Sequence, residues 1–189
     1  MIRRYVLTGA PGCGKTSILR ALEERGYAVV AEAATDVIAA AQAEGIDEPW
    51  QSADFIGKII DLQRRRQRNA APGDVAVQVF DRSPICTLAL AQFLGHPVSP
   101  CWAEEVERVT RERVYEPTVF FVRPVGFVAP TLARRISYED SLIFAARHEA
   151  TYRAYGFELV DVPPGAVAQR TALVHGRIVG LANAFRPGA

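Results

Sequence analysis

The sequence predicts a three-layer α/β fold with a mainly parallel five-stranded sheet. Three observations support it: five short apolar runs, helix-patterned segments between most of them, and a glycine-rich turn joining the first run to the first helix. Residues 5–7 form the first strand, 9–14 the turn, and Ser17, Ile18, Leu19 and Leu22 the apolar stripe of a helix that Gly26 ends. Residues 27–31 read as a second buried strand stopping before Glu32, followed by a helix over 33–43 closed by Gly45. A long helix is expected over 51–69, with Phe55, Ile59, Ile60 and Leu62 on its apolar side and an arginine run at its end.

Pro72, Gly73 and Asp74 mark a turn, and Val75, Val77, Val79 and Phe80 form the third strand, leading into Asp81 and Arg82. Pro84 can start a helix through Leu94; a connector containing Pro97 and Pro100 precedes a helix over 103–114. Residues 118–122 are the fourth strand, 123–133 a loop with Pro and Gly, 139–155 a helix ended by Gly156, and 157–162 the fifth strand. The stretch 166–179 reads as either a helix or a short hairpin.

Composition bounds the function. A chain of 189 residues, 49% hydrophobic, can bury one sizeable core, so residues 1–189 are expected to form a single domain. Lys plus Arg is 22 and Asp plus Glu 21, a net charge of +1 that gives no global attraction for nucleic acid. Three cysteines are too few and of the wrong parity for a disulfide framework, and a reducing cytoplasmic setting is expected. No apolar run reaches the roughly 18 residues of a membrane span, and the N-terminal stretch lacks the core of a signal peptide. Homo-oligomerisation is compatible with the sequence, which marks no interface.

The strongest chemical signal is Gly9-Ala10-Pro11-Gly12-Cys13-Gly14-Lys15-Thr16, a complete G-x-x-x-x-G-K-T between strand and helix. Its glycines let backbone amides converge on phosphate oxygens, Lys15 neutralises the β- and γ-phosphates, and the Thr16 hydroxyl can ligate Mg²⁺. Ser17 follows in the first turn. Lys15 and Lys58 are the only lysines in a chain otherwise using arginine, which makes an ammonium at position 15 conspicuous. Cys13 is expected to contribute its backbone amide rather than its thiol.

Asp81 and Arg82 come next. A carboxylate beyond a buried strand can organise Mg²⁺, and an adjacent guanidinium can hold a substrate or the transferring phosphate. Glu32 and Asp36 follow the second strand; either can accept the proton of a substrate hydroxyl, and either can serve instead at a helix start. Arg134 and Arg135 lie beyond the loop after strand four and are expected to belong to a lid that closes over the polyphosphate. Trp50, Phe55 and Gln63 can line an acceptor pocket or simply pack. His96, His148 and His175 show no metal-ligand pattern, and the arginines from 64 to 68 read as a solvated helix end.

The segments LTGAPGCGKTSILRALEERGYAVVAEAATDVI, FDRSP, RRISYED and YRAYGFELVDVPPG resemble the NadR-like AAA domain family of P-loop ATP-binding proteins, typified by bacterial ribosylnicotinamide kinase domains. The resemblance covers nearly the whole chain and implies a P-loop fold of the nucleoside- and nucleotide-kinase kind. It implies ATP and Mg²⁺ as cofactors, nucleotide phosphates at Gly9 to Thr16, metal at Thr16 and Asp81, acceptor chemistry near Glu32 and a lid at Arg134. It also implies nucleotide-base contacts around Pro164, Gly165 and Arg170. Thr35 stands where the family often has Arg and Thr131 where it often has Asp, two departures that bear on the acceptor. The implied activity is phosphoryl transfer from ATP to a hydroxyl of a small, nucleoside-like molecule; the alternative is a nucleotide-binding regulatory protein or weak NTPase acting through a partner. No N-K-x-D guanine motif occurs, which favours ATP over GTP.

Overall fold

The structure, a computed structural model, describes residues 2–69, 75–124 and 137–184. Five strands, β1 (Arg3–Gly9), β2 (Ala28–Val30), β3 (Val77–Asp81), β4 (Thr118–Val122) and β5 (Glu158–Val162), form one sheet in the order β2-β3-β1-β4-β5. Every pairing is parallel, as helical crossovers require. The helices are α1 (Lys15–Glu23), α2 (Ala33–Ala43), α3 (Phe55–Arg68), α4 (Pro84–Leu94), α5 (Pro100–Arg111), α6 (Tyr138–Ala154) and α7 (Val167–Ala184).

Strand periodicity explains the layers. Tyr5 and Leu7 of β1 point to one face, where they pack with Ile18 and Leu22 of α1 and Val174 and Ile178 of α7. Val6, between them, points to the other face, against Ile85 of α4, Val106 and Val109 of α5 and Tyr152 of α6. A third cluster joins Ile38 of α2 and Phe55, Ile56, Ile59 and Ile60 of α3 to Ala91 of α4 and Trp102 of α5.

Several boundaries move for identifiable reasons. A 3-10 turn at Pro49–Gln51 delays α3 until Phe55. Pro100, read as a connector, instead occupies the first turn of α5 behind Ser99. The hairpin alternative at the C-terminal stretch is ruled out: α7 is a continuous helix. Gly176 and Gly180 lie within it with open space beside them, while Val174 and Ile178 are buried one turn apart.

Gly9 ends β1 directly opposite Val122 of β4. Its φ is +138°, and a Cβ there would sit 2.3 Å from the Val122 carbonyl oxygen, so both conformation and space demand glycine. Gly9→Ala is expected to destabilise the fold by about 2 kcal/mol or more. Urea denaturation checks this; an unchanged midpoint would contradict the packing described.

Candidate active site

The carboxyl ends of β1, β2 and β3 open into a cavity of about 550 Å³, where parallel sheets of this kind place ligands. Gly12, Gly14, Lys15, Thr16 and Ser17 form its phosphate-loop wall. Gly12 and Gly14 have φ of +80° and +87°, the left-handed conformations that turn successive amides inward. Gly9, Ala10 and Cys13 stand behind this wall. Cys13 is 1% exposed and packs in the core, its sulfur accepting a long contact from the Lys15 ammonium at 3.8 Å. Lys15 is buried, with Nζ donating to the Ala10 carbonyl at 3.2 Å.

Arg170 supports the loop from α7. Its guanidinium donates to the Cys13 carbonyl at 2.8 Å and to the Arg123 carbonyl at 3.2 Å, tying the phosphate loop to the end of β4. Pro164 and Gly165 are exposed on the connection before α7, and neither they nor Arg170 line the cavity. Arg134 and Arg135 lie outside the described residues.

Asp81 and Arg82 arrive on β3. Asp81 is aligned with Leu7 of β1, and Arg82 continues the ladder by donating its amide to the Leu7 carbonyl at 3.1 Å. Arg82 then turns with φ +71°, an uncommon conformation for a residue with a Cβ, and its side chain is among those lining the cavity. There Nε donates to a Glu32 carboxylate oxygen and Nη1 donates to Nε2 of His148 at 3.2 Å. The Phe144 ring lies 5.8 Å below the guanidinium carbon.

Glu32 occupies the position before α2 in an extended conformation, and its side chain makes no capping bond. The carboxylate instead accepts from Arg82 and, at 2.8 Å, from the Thr35 hydroxyl. Burial opposes its ionisation; Arg82, then Lys15 and the Thr35 hydroxyl, outweigh burial and lower it from 4.5 to about 2. Asp36 goes elsewhere. Because Glu32 is not helical, a spacing of four does not put the two acids on one face, and Asp36 pairs with Arg66 at the surface. Arg66 also donates to the Ala31 carbonyl at 2.7 Å.

His148, which no sequence pattern singled out, is fully buried and packs at a tilt of 41° against Phe144 with centroids 4.1 Å apart. Burial, with the charges of Arg82 and Lys15, holds it well below the ordinary histidine range, so it is neutral and can accept from Arg82. The remaining walls are helix stripes: Phe55, Ile59 and Gln63 of α3, Leu90, Phe93 and Leu94 of α4, and Phe144 of α6. Trp50 completes the rim, its carbonyl accepting from His96 at 2.9 Å. The residues of α4 and α6 escaped sequence reasoning because a stripe facing a cavity has the same spacing as one facing a core.

The donor chemistry fits a nucleotide-borne Mg²⁺. The Thr16 hydroxyl and Asp81 carboxylate, both hard oxygen donors, line the same cavity as Lys15. Among the described residues there is no cluster of three or more His, Cys, Asp or Glu able to hold a metal by itself. Cys13, Cys86 and Cys101 are free thiols, and among the described residues no helix is long and apolar enough to cross a membrane.

The parallel sheet and the G-x-x-x-x-G-K-T loop at its centre define a P-loop domain with the fold of nucleoside and shikimate kinases. A family model described as "AAA domain" matches residues 4–170, and the chain belongs to that family. Among solved structures, NadR in complex with NAD and AMP-PNP superposes with a TM-score of 0.65 at 16% identity over 93% of this chain. The match takes in 49% of NadR, so this chain spans about half of NadR's length. A deoxyadenosine kinase from M. mycoides, bound to dCMP and dCDP, gives 0.60 at 12% identity, covering 94% of this chain and 99% of the kinase. Shikimate kinase from Acinetobacter baumannii, bound to shikimate, gives 0.57 at 13% identity over 95% of this chain and 94% of its own. A search of curated proteins finds no significant match.

The Glu32 carboxyl carries a pH signature. A carboxyl lowered on folding stabilises the fold above its unfolded value near 4.5, and that contribution is lost as pH falls through about 2. Glu32→Gln is therefore expected to destabilise by about 1 to 3 kcal/mol at pH 7, with a gap from wild type that narrows steadily below pH 4.5. Urea titrations at pH 7 and pH 3 measure it; an equal gap at both would contradict the assignment.

Proposed function

We propose that this chain is an ATP-dependent small-molecule kinase that transfers the γ-phosphoryl group to a hydroxyl of a nucleoside-like acceptor, with residues 1–189 working as one unit. The observation that carries the reading is a single cavity with phosphate-loop residues at one end and aromatic and aliphatic helix stripes at the other. The Glu32–Arg82 pair lines the same cavity.

In this reading the amides around Gly12 and Gly14, together with Lys15, hold the β- and γ-phosphates. Mg²⁺, held by Thr16 and Asp81, would neutralise charge on the phosphate oxygens. Arg82 stabilises charge on the group in transfer, and His148 keeps its guanidinium in place. Glu32 accepts a hydrogen bond from the acceptor hydroxyl and orients its oxygen for in-line attack. Its low pKa suits a loose transition state, in which the hydroxyl proton passes to the Glu32 carboxylate and on to water only late, as the new O–P bond forms and ADP departs, so that positioning dominates. Asp36, engaged with Arg66, is not assigned a catalytic part. Arg134 and Arg135 remain the proposed lid arginines from sequence alone, and Pro164 and Gly165 the proposed neighbours of the nucleotide base. Arg170 acts by bracing the loop.

Incubation with Mg·ATP and a panel of nucleosides, sugars and vitamins, read by mass spectrometry, is expected to show an acceptor that gains one phosphate. Lys15→Ala is expected to weaken Mg·ATP binding by about tenfold or more in calorimetry. Glu32→Gln should lower kcat by about 100-fold or more while ATP still binds. Full turnover in Glu32→Gln would remove Glu32 from the chemistry. If no acceptor is phosphorylated and a protein partner binds only the ATP-loaded form, the regulatory reading replaces the kinase.

A further inference from the structure

Ser83 stands where a helix cap is expected, and none forms. It precedes α4 with an extended backbone, φ −152° and ψ 173°, and serine is among the residues best suited to accept from the amides of a first helical turn. Its side chain makes no such bond. The Ser83 hydroxyl lies instead 2.6 Å from the Tyr152 hydroxyl of α6, which lies 3.0 Å from the Cys86 thiol, itself 3.1 Å from the Thr8 hydroxyl. All four residues are at most 1% exposed.

Four protons serve three contacts in this chain, so each contact can be a hydrogen bond provided that every member keeps its proton. Burial ensures this for the phenol, holding its ionisation well above the ordinary tyrosine range. The chain joins α6 to the start of α4 and to Thr8, the residue before Gly9. The Tyr152 ring itself packs edge-on to Phe157 with centroids 5.6 Å apart, a contact that does not need the hydroxyl.

What the hydroxyl holds is the residue after Arg82. The left-handed φ of +71° at Arg82 is unfavourable for a residue with a Cβ and persists only where its surroundings over-determine it. On one side its amide donates to the Leu7 carbonyl, and at the guanidinium Glu32 and His148 act. On the other side the Ser83 carbonyl accepts from the Thr87 amide, and the Ser83 hydroxyl is held by Tyr152. We infer that Tyr152 is a positioning residue: through Ser83 it fixes the turn that carries the Arg82 guanidinium into the cavity, and α4 forgoes its cap as a result. Pro84, with no amide hydrogen to satisfy, lessens what that cap would contribute. The inference rests on the phosphotransfer reading for what Arg82 does there, and on the geometry for how Arg82 is held.

The test follows the Arg82 Nε–H signal in nitrogen-15 NMR spectra of the full chain, assigned by its loss in Arg82→Lys. Tyr152→Phe and Ser83→Ala break the same hydroxyl pair from opposite sides, so either stays informative if the other folds poorly. In both, exchange of the Arg82 Nε–H with water is expected to accelerate about tenfold or more beyond any change at the amide of Phe120, a core residue of β4. With a phosphorylated acceptor in hand, kcat should fall about tenfold with KM for ATP unchanged. The double variant should fall no further than either single one.

An unchanged Arg82 signal in the two variants, or an acceleration no greater than that at Phe120, would overturn the inference and leave the kinase reading intact. A loosened Arg82 with full turnover would support the positioning and remove Arg82 from the chemistry. If no compound is phosphorylated, the exchange measurement still decides: a selectively loosened Arg82 supports the inference while phosphotransfer alone is rejected.

Discussion

The ion pair between Arg82 and Glu32 is the interaction around which the site is organised. Arg82 is 9% exposed and leaves β3 through a left-handed backbone conformation, so its charge is carried into the protein. A guanidinium there needs acceptors. Glu32 from the end of β2 and His148 from α6 supply them, and in doing so connect the edge of the sheet, its centre and the overlying helix layer. Removal of Glu32 would leave the guanidinium without its counter-charge, and removal of His148 would leave one of its N–H groups short of an acceptor. The same groups face the cavity, so the arrangement that stabilises this end of the fold also sets the electrostatics of the site.

A second constraint acts from behind the phosphate loop. The loop must be held rigidly enough for its amides to converge, yet it has few side chains with which to anchor itself. Close contact of Gly9 with the Val122 carbonyl fixes one end, and Arg170 holds the Cys13 carbonyl near the other. These are backbone anchors. They leave Lys15, Thr16 and Ser17 on the cavity side, which is the preorganisation that electrostatic stabilisation of a polyphosphate calls for.

Much of this was legible in the sequence, for physical reasons. Fully buried strands such as Thr118–Val122 read as unbroken apolar runs, and the limits of α2 and α4 follow from Glu32, Gly45, Pro84 and Gly95. The phosphate loop was readable because its chemistry demands particular residues at fixed spacing. The apolar part of the cavity was legible only in part: Trp50, Phe55 and Gln63 could be named as pocket candidates, whereas Phe93, Phe144 and Thr87 look like ordinary core residues until the helices that carry them are assembled. His148 sits 66 residues from Arg82, and no local pattern links them. Glu32 and Asp36 were indistinguishable by residue type. Local backbone conformation separates them, since one precedes the helix and faces Arg82 while the other, one turn inside, faces Arg66.

The central claim is that phosphate loop, ion pair and apolar walls serve one transfer reaction, with the γ-phosphate meeting the acceptor beside Arg82 and Glu32. A crystal structure of the full chain with Mg·AMP-PNP tests it most directly. The account predicts the triphosphate along Gly12 to Thr16, its γ-phosphate within hydrogen-bond reach of Lys15 and Arg82, and the Glu32 carboxylate turned toward the space between the α3 and α4 stripes. A triphosphate bound away from Lys15 and Arg82, or one whose γ-phosphate is walled off from that space, would contradict it.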